Sequence, residues 1–279
     1  MTPSEVRREK RARRSPGRIG SGARGSVPYR GAPARTARHL LMFGELARYY
    51  DWFVAEKDYR SEVRRLEALA RQFGRSGGNS WLDVACGTGR HLEFLRLRHS
   101  VAGIDLSPAM LRIARRRLPG VPLYRGDARR FHLPRRFDAV TCLFGTIGHI
   151  GTEREIRAVF RNLADHLRPG GIAIVEPWID PADFRDGMIH LMTYASRSTA
   201  LARLTYSTRR GRHSVLRSHY LLGEEGKGSR HLEETDSTGL LIPRKKLMKM
   251  METVGLRARF IQRGLRPGFG LLVGVRSPG

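Results

Sequence analysis

The stretch Trp81-Leu82-Asp83-Val84-Ala85-Cys86-Gly87-Thr88-Gly89-Arg90-His91-Leu92 constrains this chain more than any other. An apolar strand runs into an acidic residue, then a tight glycine turn, then the start of a helix. A helix N-terminus presents unpaired N–H groups and a partial positive charge, so anionic groups settle there. Gly87 and Gly89 admit positive φ and let a ligand approach the backbone. Pyrophosphates and amino-acid carboxylates both use such a turn, so the glycines alone do not choose a ligand.

The following segments narrow the choice. A second strand, Val101-Ala102-Gly103-Ile104-Asp105, ends in a carboxylate, as expected where an acid at the next strand tip grips a ribose diol. A third acidic tip is Arg125-Gly126-Asp127-Ala128, and a fourth strand, Phe137-Asp138-Ala139-Val140-Thr141-Cys142, leads into a glycine-rich loop. The pattern predicts helices over 41–54 and 58–73. It then predicts strand 80–84, helix 89–98, strand 101–105, helix 107–117, strands 121–124 and 137–142, helix 152–167 and strand 171–176. Such alternation gives right-handed crossovers and a doubly wound, mostly parallel α/β sheet covered on both faces.

The alternation stops after Glu176-Pro177-Trp178. β-rich segments at 199–207, 213–222 and 230–241, separated by turn signals, predict a small antiparallel sheet inserted into the fold. Pro243 to Val254 returns to helix, and Leu256–Ile261 with Leu271–Val275 reads as a closing antiparallel pair. The expected organisation is an N-terminal extension (1–40), a core (41–180 and 242–279) and an inserted β subdomain (181–241), with seven strands in the main sheet.

The chain has 279 residues and a formal net charge of +26. Residues 1–40 hold eleven Arg or Lys against Glu5 and Glu9 in a Gly/Ser/Pro-rich tract without hydrophobic periodicity, which reads as disordered. This tract is either a nucleic-acid-binding arm or sequence upstream of an original start at Met42. The abrupt onset of a fold-like pattern at Leu40-Leu41-Met42-Phe43 favours the second. Elsewhere the arginines, Arg112, Arg115, Arg116 and Arg117 among them, read as solvated helix faces. No apolar run approaches the roughly 20 residues that cross a bilayer. The two cysteines, Cys86 and Cys142, read as buried thiols of a reducing, cytoplasmic compartment.

Beyond the turn itself, Tyr50-Asp51-Trp52, Lys57-Asp58-Tyr59, Leu82 to Gly89, Phe137 to Thr141, Ile147-Gly148-His149, Leu167-Arg168-Pro169-Gly170-Gly171, Val175-Glu176-Pro177-Trp178 and Val273-Gly274-Val275 occur in this order. Together they resemble class I S-adenosylmethionine-dependent methyltransferases, and within them the N,N-dimethyltransferases of nucleotide-linked amino sugars in macrolide biosynthesis. The resemblance spans about residues 45–276. It implies a Rossmann-like fold, S-adenosylmethionine as cofactor with S-adenosylhomocysteine as product, and no metal. Asp83, Ala85, Gly87 and Gly89 would border the methionine part. Asp105 would accept the ribose hydroxyls with Leu106 against the adenine, and Asp127 the adenine amino group beside Ala128. Leu143 would lie near the sulfonium, and Tyr50 and Tyr59 would close the pocket. A nicotinamide dehydrogenase would need a glycine where Leu92 stands and leaves Asp83 without a role.

Methyl transfer from a sulfonium is an in-line displacement in which alignment and exclusion of water carry most of the effect. An amine acceptor must lose a proton first. His149 follows the fourth strand, where crevice residues of an open α/β sheet gather, and imidazole is the side chain suited to that proton. His149 and Tyr50 are thus the candidate catalytic residues, and His149, Glu176, Trp178 and Arg266 the candidate acceptor contacts. In the family the last hairpin carries an arginine where Phe269 stands here. Either Arg266 substitutes for it, or the acceptor has no nucleotide handle. A nucleic-acid acceptor is disfavoured, because the Asn/Asp-Pro-Pro-aromatic motif is absent after the fourth strand. A non-catalytic module that kept the fold is a further alternative, and the inserted sheet offers a surface for a homodimer.

Overall fold

The computed structural model describes residues 41–266 and 268–277; the expectation of disorder for residues 1–40 lies outside them. Eleven strands form two sheets among these residues. Helix α2 (Tyr59–Phe73) opens where the Asp58 side chain accepts from the Ser61 N–H at 2.9 Å, and it buries Val63, Leu66 and Leu69. It ends at Gly74, where the chain turns extended. The main sheet then begins with β1 (Ser80–Val84), β2 (Ser100–Asp105), β3 (Leu123–Arg125), β4 (Phe137–Cys142) and β5 (Leu167–Val175). Between them lie α3 (Arg90–Leu95), α4 (Pro108–Arg117) and α5 (Glu153–Asp165). α4 starts as its sequence dictates: the Ser107 hydroxyl accepts from the Met110 N–H, and Pro108 holds the first helical position.

Helix α6 (Arg244–Glu252) and strands β10 (Leu256–Ile261) and β11 (Leu271–Arg276) close the sheet in the order β10-β11-β5-β4-β1-β2-β3. The first five strands pair in parallel, and β11 runs antiparallel to both β5 and β10. Alternate residues of one strand enter different cores, as the two-residue period requires. Leu82, Val84, Val140 and Val175 pack with α5 and α6, whereas Trp81, Ala139 and Ile174 pack with α2, α3 and α4. The sheet reverses its strand order between β1 and β4, and open α/β sheets bind ligands at the carboxyl end of such a switch point.

The second sheet is antiparallel, with β6 (Met188–Ala195), β7 (Thr199–Arg210), β8 (His213–Glu224) and β9 (Gly228–Leu240) in that order. Its first strand was not anticipated, and its other three run longer than the predicted segments. The expected helix over 41–54 is also corrected. Gly44 interrupts it, giving 3₁₀ turns at Leu41–Phe43 and Ala47–Tyr49 and a single α turn, α1 (Tyr50–Phe53). This segment is stabilised by burial against the second sheet, where Met42, Leu46 and Phe53 meet Leu201, Tyr220 and Leu222.

Candidate active site

The turn after β1 is built from left-handed backbone. Ala85, Gly87 and Gly89 have φ of 60°, 55° and 80°. A Cβ on Gly87 would face open space, whereas one on Gly89 would lie 2.6 Å from Leu118, so the second glycine lets the turn sit against the end of α4. Asp105, buried at the tip of β2, ties the turn to the next loop. One carboxylate oxygen accepts from the Gly87 N–H and the other from the Ser107 N–H, both at 2.8 Å. Burial pushes its pKa up against those hydrogen bonds. Each oxygen keeps a lone pair for a further donor.

Asp83 lies beneath the same cleft, 2 % exposed, and accepts from the Thr141 hydroxyl at 2.7 Å. Desolvation raises its carboxyl to about 6. Two basic residues that lie in the quoted motifs but were not among the candidate ligands also line the cleft. Arg90 reaches Glu93 through Nη1 at 3.0 Å while its buried Nε has no hydrogen-bond partner. Lys57 pairs with Glu62 at 2.6 Å and lies over the rings of Tyr59 and Phe144. Tyr50, Tyr59 and Leu143 complete the wall. The phenols of Tyr50 and Tyr59 are pushed up by burial, so both stay protonated.

The segment holding Tyr50 is latched onto the glycine turn. Asp51 accepts from the Thr88 hydroxyl at 2.7 Å and from Arg117 Nη2 at 2.5 Å, while Arg117 Nη1 donates to the Thr88 carbonyl at 2.5 Å. Arg117 is therefore no part of a solvated face, although Arg112, Arg115 and Arg116 are exposed as expected. The Ser107 hydroxyl donates to the Phe43 carbonyl, and Trp52 stacks on Tyr194 of β6 with centroids 4.1 Å apart. The segment thus spans the cleft and the second sheet.

Leu106 follows Asp105 and is half-buried. Both Asp127 oxygens are held by the Arg129 guanidinium, which lowers the carboxyl pKa, and the backbone carbonyl of Ala128 accepts from Asn162. On the other side of the cleft, the loop after β4 turns through Phe144, whose φ is 58°. His149 ends the 3₁₀ turn that follows, with its ring 5.6 Å from Phe43 and 6.1 Å from Trp178. Its neighbour Trp178 helps to line a cavity of about 670 Å3 together with Arg203, Arg266 and Phe269. Trp178 is fixed by its Nε1–H, which donates to Ser214 Oγ at 2.9 Å.

Glu176, expected on the acceptor side, is not among the residues that line that cavity. It is wholly buried; one oxygen accepts from the Phe144 N–H at 2.7 Å and the other from Arg266 Nε at 2.6 Å. The Arg266 guanidinium stacks 4.0 Å from the Phe269 centroid and 4.7 Å from that of Phe144. Phe269 thus holds an arginine over its face. Among the described residues no cluster of three His, Cys, Asp or Glu side chains is placed to bind a metal ion, and no helix is long and apolar enough to cross a membrane.

A methyltransferase domain family matches residues 82–171. The chain is 38% identical over 235 residues to the dTDP-3-amino-3,6-dideoxy-alpha-D-glucopyranose N,N-dimethyltransferase of Streptomyces fradiae, covering 83% of this chain and 91% of that enzyme. It is 40% identical over 222 residues to the dTDP-4-amino-2,3,4,6-tetradeoxy-D-glucose N,N-dimethyltransferase of Saccharopolyspora spinosa, covering 79% and 88%. Among solved structures it superposes on DesVI of Streptomyces venezuelae with a TM-score of 0.77 at 36% identity, over 83% of this chain and 98% of that one. The S-adenosylmethionine-bound amino pentose methyltransferase of Micromonospora echinaspora gives 0.73 at 35% identity, over 84% and 96%. Identity of 38–40% over about four-fifths of this chain and nine-tenths of those enzymes leaves one assignment: the chain belongs to the S-adenosylmethionine-dependent N,N-dimethyltransferases of dTDP-linked amino sugars.

Proposed function

We propose that the chain transfers methyl groups from S-adenosylmethionine to the amine of a nucleotide-linked amino sugar in a biosynthetic pathway of secondary metabolism. What carries this reading is the identity to enzymes of that activity over about four-fifths of the chain. The residues of the first cleft suit the cofactor. Buried Arg90 Nε lacks an acceptor, and a carboxylate supplies one. Asp105 retains a lone pair on each oxygen for a diol, and open space over Gly87 admits the chain of an amino acid. Ala85, Gly87 and Gly89 then border the methionine part, Leu106 packs against the adenine, and Asp127 with the Ala128 backbone meets the adenine edge. Leu143, Tyr50 and Tyr59 enclose the reacting end.

Bound there, the cofactor supplies an electrophilic methyl group on a positively charged sulfur. The chain contributes alignment and dryness. Tyr50 and Phe43, held down by the Asp51–Arg117 latch and the Ser107–Phe43 hydrogen bond, keep water from the cleft. His149, whose ring packs against Phe43 and Trp178, accepts on an imidazole nitrogen the proton that the amine must lose. Tyr50, its phenol kept protonated, acts by packing and by donating a hydrogen bond. Glu176 positions Arg266 and the Phe144 loop without meeting the acceptor.

The cavity assigned to the acceptor draws its lining from both the proposed core (41–180 and 242–279) and the proposed inserted subdomain (181–241). A homodimer is supported by the outer face of the second sheet, where Ile189, Leu191, Leu204, Tyr206 and Leu221 are exposed together. Unpaired, buried Cys86 and Cys142 suit a reducing cytoplasm. The test is incubation with methyl-labelled S-adenosylmethionine and dTDP-linked amino sugars, read by mass spectrometry. Label on the sugar nitrogen is the expected result. Cofactor binding without transfer to any amine or hydroxyl acceptor would leave a binding module and sink the proposal.

A further inference from the structure

We propose that Ser214, on β8 of the second sheet, is a positioning residue for methyl transfer: through the Trp178 indole it fixes the turn that carries His149. The inference deepens the functional reading above and rests on it. Alternate residues of β8 point inward, and Ser214 shares that face with Ser218 and Tyr220, both buried. Ser214 is wholly buried, and its hydroxyl is used in both directions. It accepts from Trp178 Nε1–H at 2.9 Å and donates to the Gly239 carbonyl of β9 at 3.0 Å. Gly239 stands opposite Ser214 in the ladder, and a Cβ there would lie 1.7 Å from the Ser214 oxygen and 2.9 Å from Trp178 Nε1. Only glycine at 239 leaves room for this bridge.

The indole also bears on the loop after β4. A Cβ on Gly145 would lie 2.8 Å from the Trp178 ring and one on Gly148 2.7 Å from it, so ring and backbone pack with no gap to shift into. The Gly148 N–H donates to the Gly145 carbonyl at 2.8 Å, closing the turn over this contact, and His149 is the next residue. The indole is therefore held by a hydrogen bond to the second sheet while two glycines of the turn rest on it. Without the Ser214 oxygen its N–H loses its acceptor, and the ring is free to turn toward another. A turned ring displaces the glycines and, with them, His149. The second sheet also reaches past this turn: Arg212, two residues before Ser214, pairs with Glu153 in the first turn of α5. Alignment carries most of the effect in an in-line displacement, and a misplacement of about 1 Å costs about 100-fold. Ser214 therefore acts at a distance, through Trp178 and the turn, without touching cofactor or acceptor.

The test uses the full chain, with hydrogen–deuterium exchange measured on the complex with S-adenosylhomocysteine and kcat measured on dTDP-linked 3-amino and 4-amino sugars. Ser214→Ala is expected to speed exchange of the 143–150 amides about 10-fold and to lower kcat about 10-fold or more, with exchange over 85–90 and the Kd of S-adenosylhomocysteine unchanged. Ser214→Thr, which keeps the hydroxyl, should restore both, and Trp178→Phe, which keeps a ring without the donor, should reproduce the loss. Because Ser214 acts through His149, adding Ser214→Ala to His149→Ala should lower kcat no further. Melting curves identify a variant that fails to fold; Trp178→Phe leaves β8 untouched and then carries the test. Wild-type exchange over 143–150 in Ser214→Ala, or kcat losses that multiply in the double variant, overturn the assignment while the methyltransferase reading stands. Wild type that takes up S-adenosylhomocysteine yet methylates none of these sugars overturns the functional reading, and this role with it.

Discussion

Asp83→Asn should make the free enzyme more stable and the cofactor bind worse. The Asp83 carboxyl is held near pKa 6 by burial, against an ordinary 3.8. About two units at 1.36 kcal/mol each come to about 3 kcal/mol. The sign follows from proton linkage: the folded chain binds this proton more tightly than the unfolded one, so stability falls as pH rises from below 3.8 through about 6. Above that range the whole cost of the buried charge is present. Asparagine is isosteric, stays neutral and can still accept from the Thr141 hydroxyl. At pH 8 the variant should gain about 2–3 kcal/mol, or about 5–10 °C in Tm, and the gain should vanish near pH 4. In the proposed complex the same charge would face the cationic end of the cofactor, so wild-type affinity should rise through pH 6 with proton release. The asparagine variant should lose that dependence and about tenfold or more in affinity, as for a lost charge-assisted contact. Paired melting curves and calorimetry in buffers of different ionisation enthalpy read both effects. A melting difference that is the same at pH 4 and pH 8, or an unchanged cofactor affinity, would refute the reasoning.

Three further outcomes are expected. Asp105→Asn puts an amide donor opposite either the Gly87 or the Ser107 N–H and removes the charge offered to the ribose; cofactor Kd should rise about 30-fold or more, checked by calorimetry. Arg117→Met frees Asp51 and the Thr88 carbonyl, so the segment holding Tyr50 should leave the cleft more often; stopped-flow fluorescence should show faster release of S-adenosylhomocysteine. Gly148→Ala places a Cβ 2.7 Å from the Trp178 ring, which its bond to Ser214 keeps from yielding. Overpacking of that kind costs about 1–3 kcal/mol, and KM for the acceptor should rise with cofactor Kd unchanged.

Alternation and turn chemistry made the parallel half of the sheet legible. Asp83, Asp105 and Asp127 sit where the strand pattern puts them, because a strand tip, a turn and a helix start are local events. β6 escaped notice because the strand is largely exposed and so lacks the apolar alternation of a half-buried strand. The short turns over 41–53 follow the apolar face of the second sheet, which their own periodicity does not show. Side chains that act across long separations were hidden for the same reason. Arg117 reads as one more arginine in a basic run until the fold brings Asp51, 66 residues away, against it. Glu176 was found, but not its buried place beneath Arg266, which depends on a loop 90 residues further on.

The account is tested most directly by a crystal structure of the enzyme with S-adenosylhomocysteine and a dTDP-linked amino sugar. It predicts the ribose hydroxyls on Asp105 and the amine beside His149, in line with the cofactor sulfur. Ribose hydroxyls bound away from Asp105, or an amine remote from His149, would contradict it.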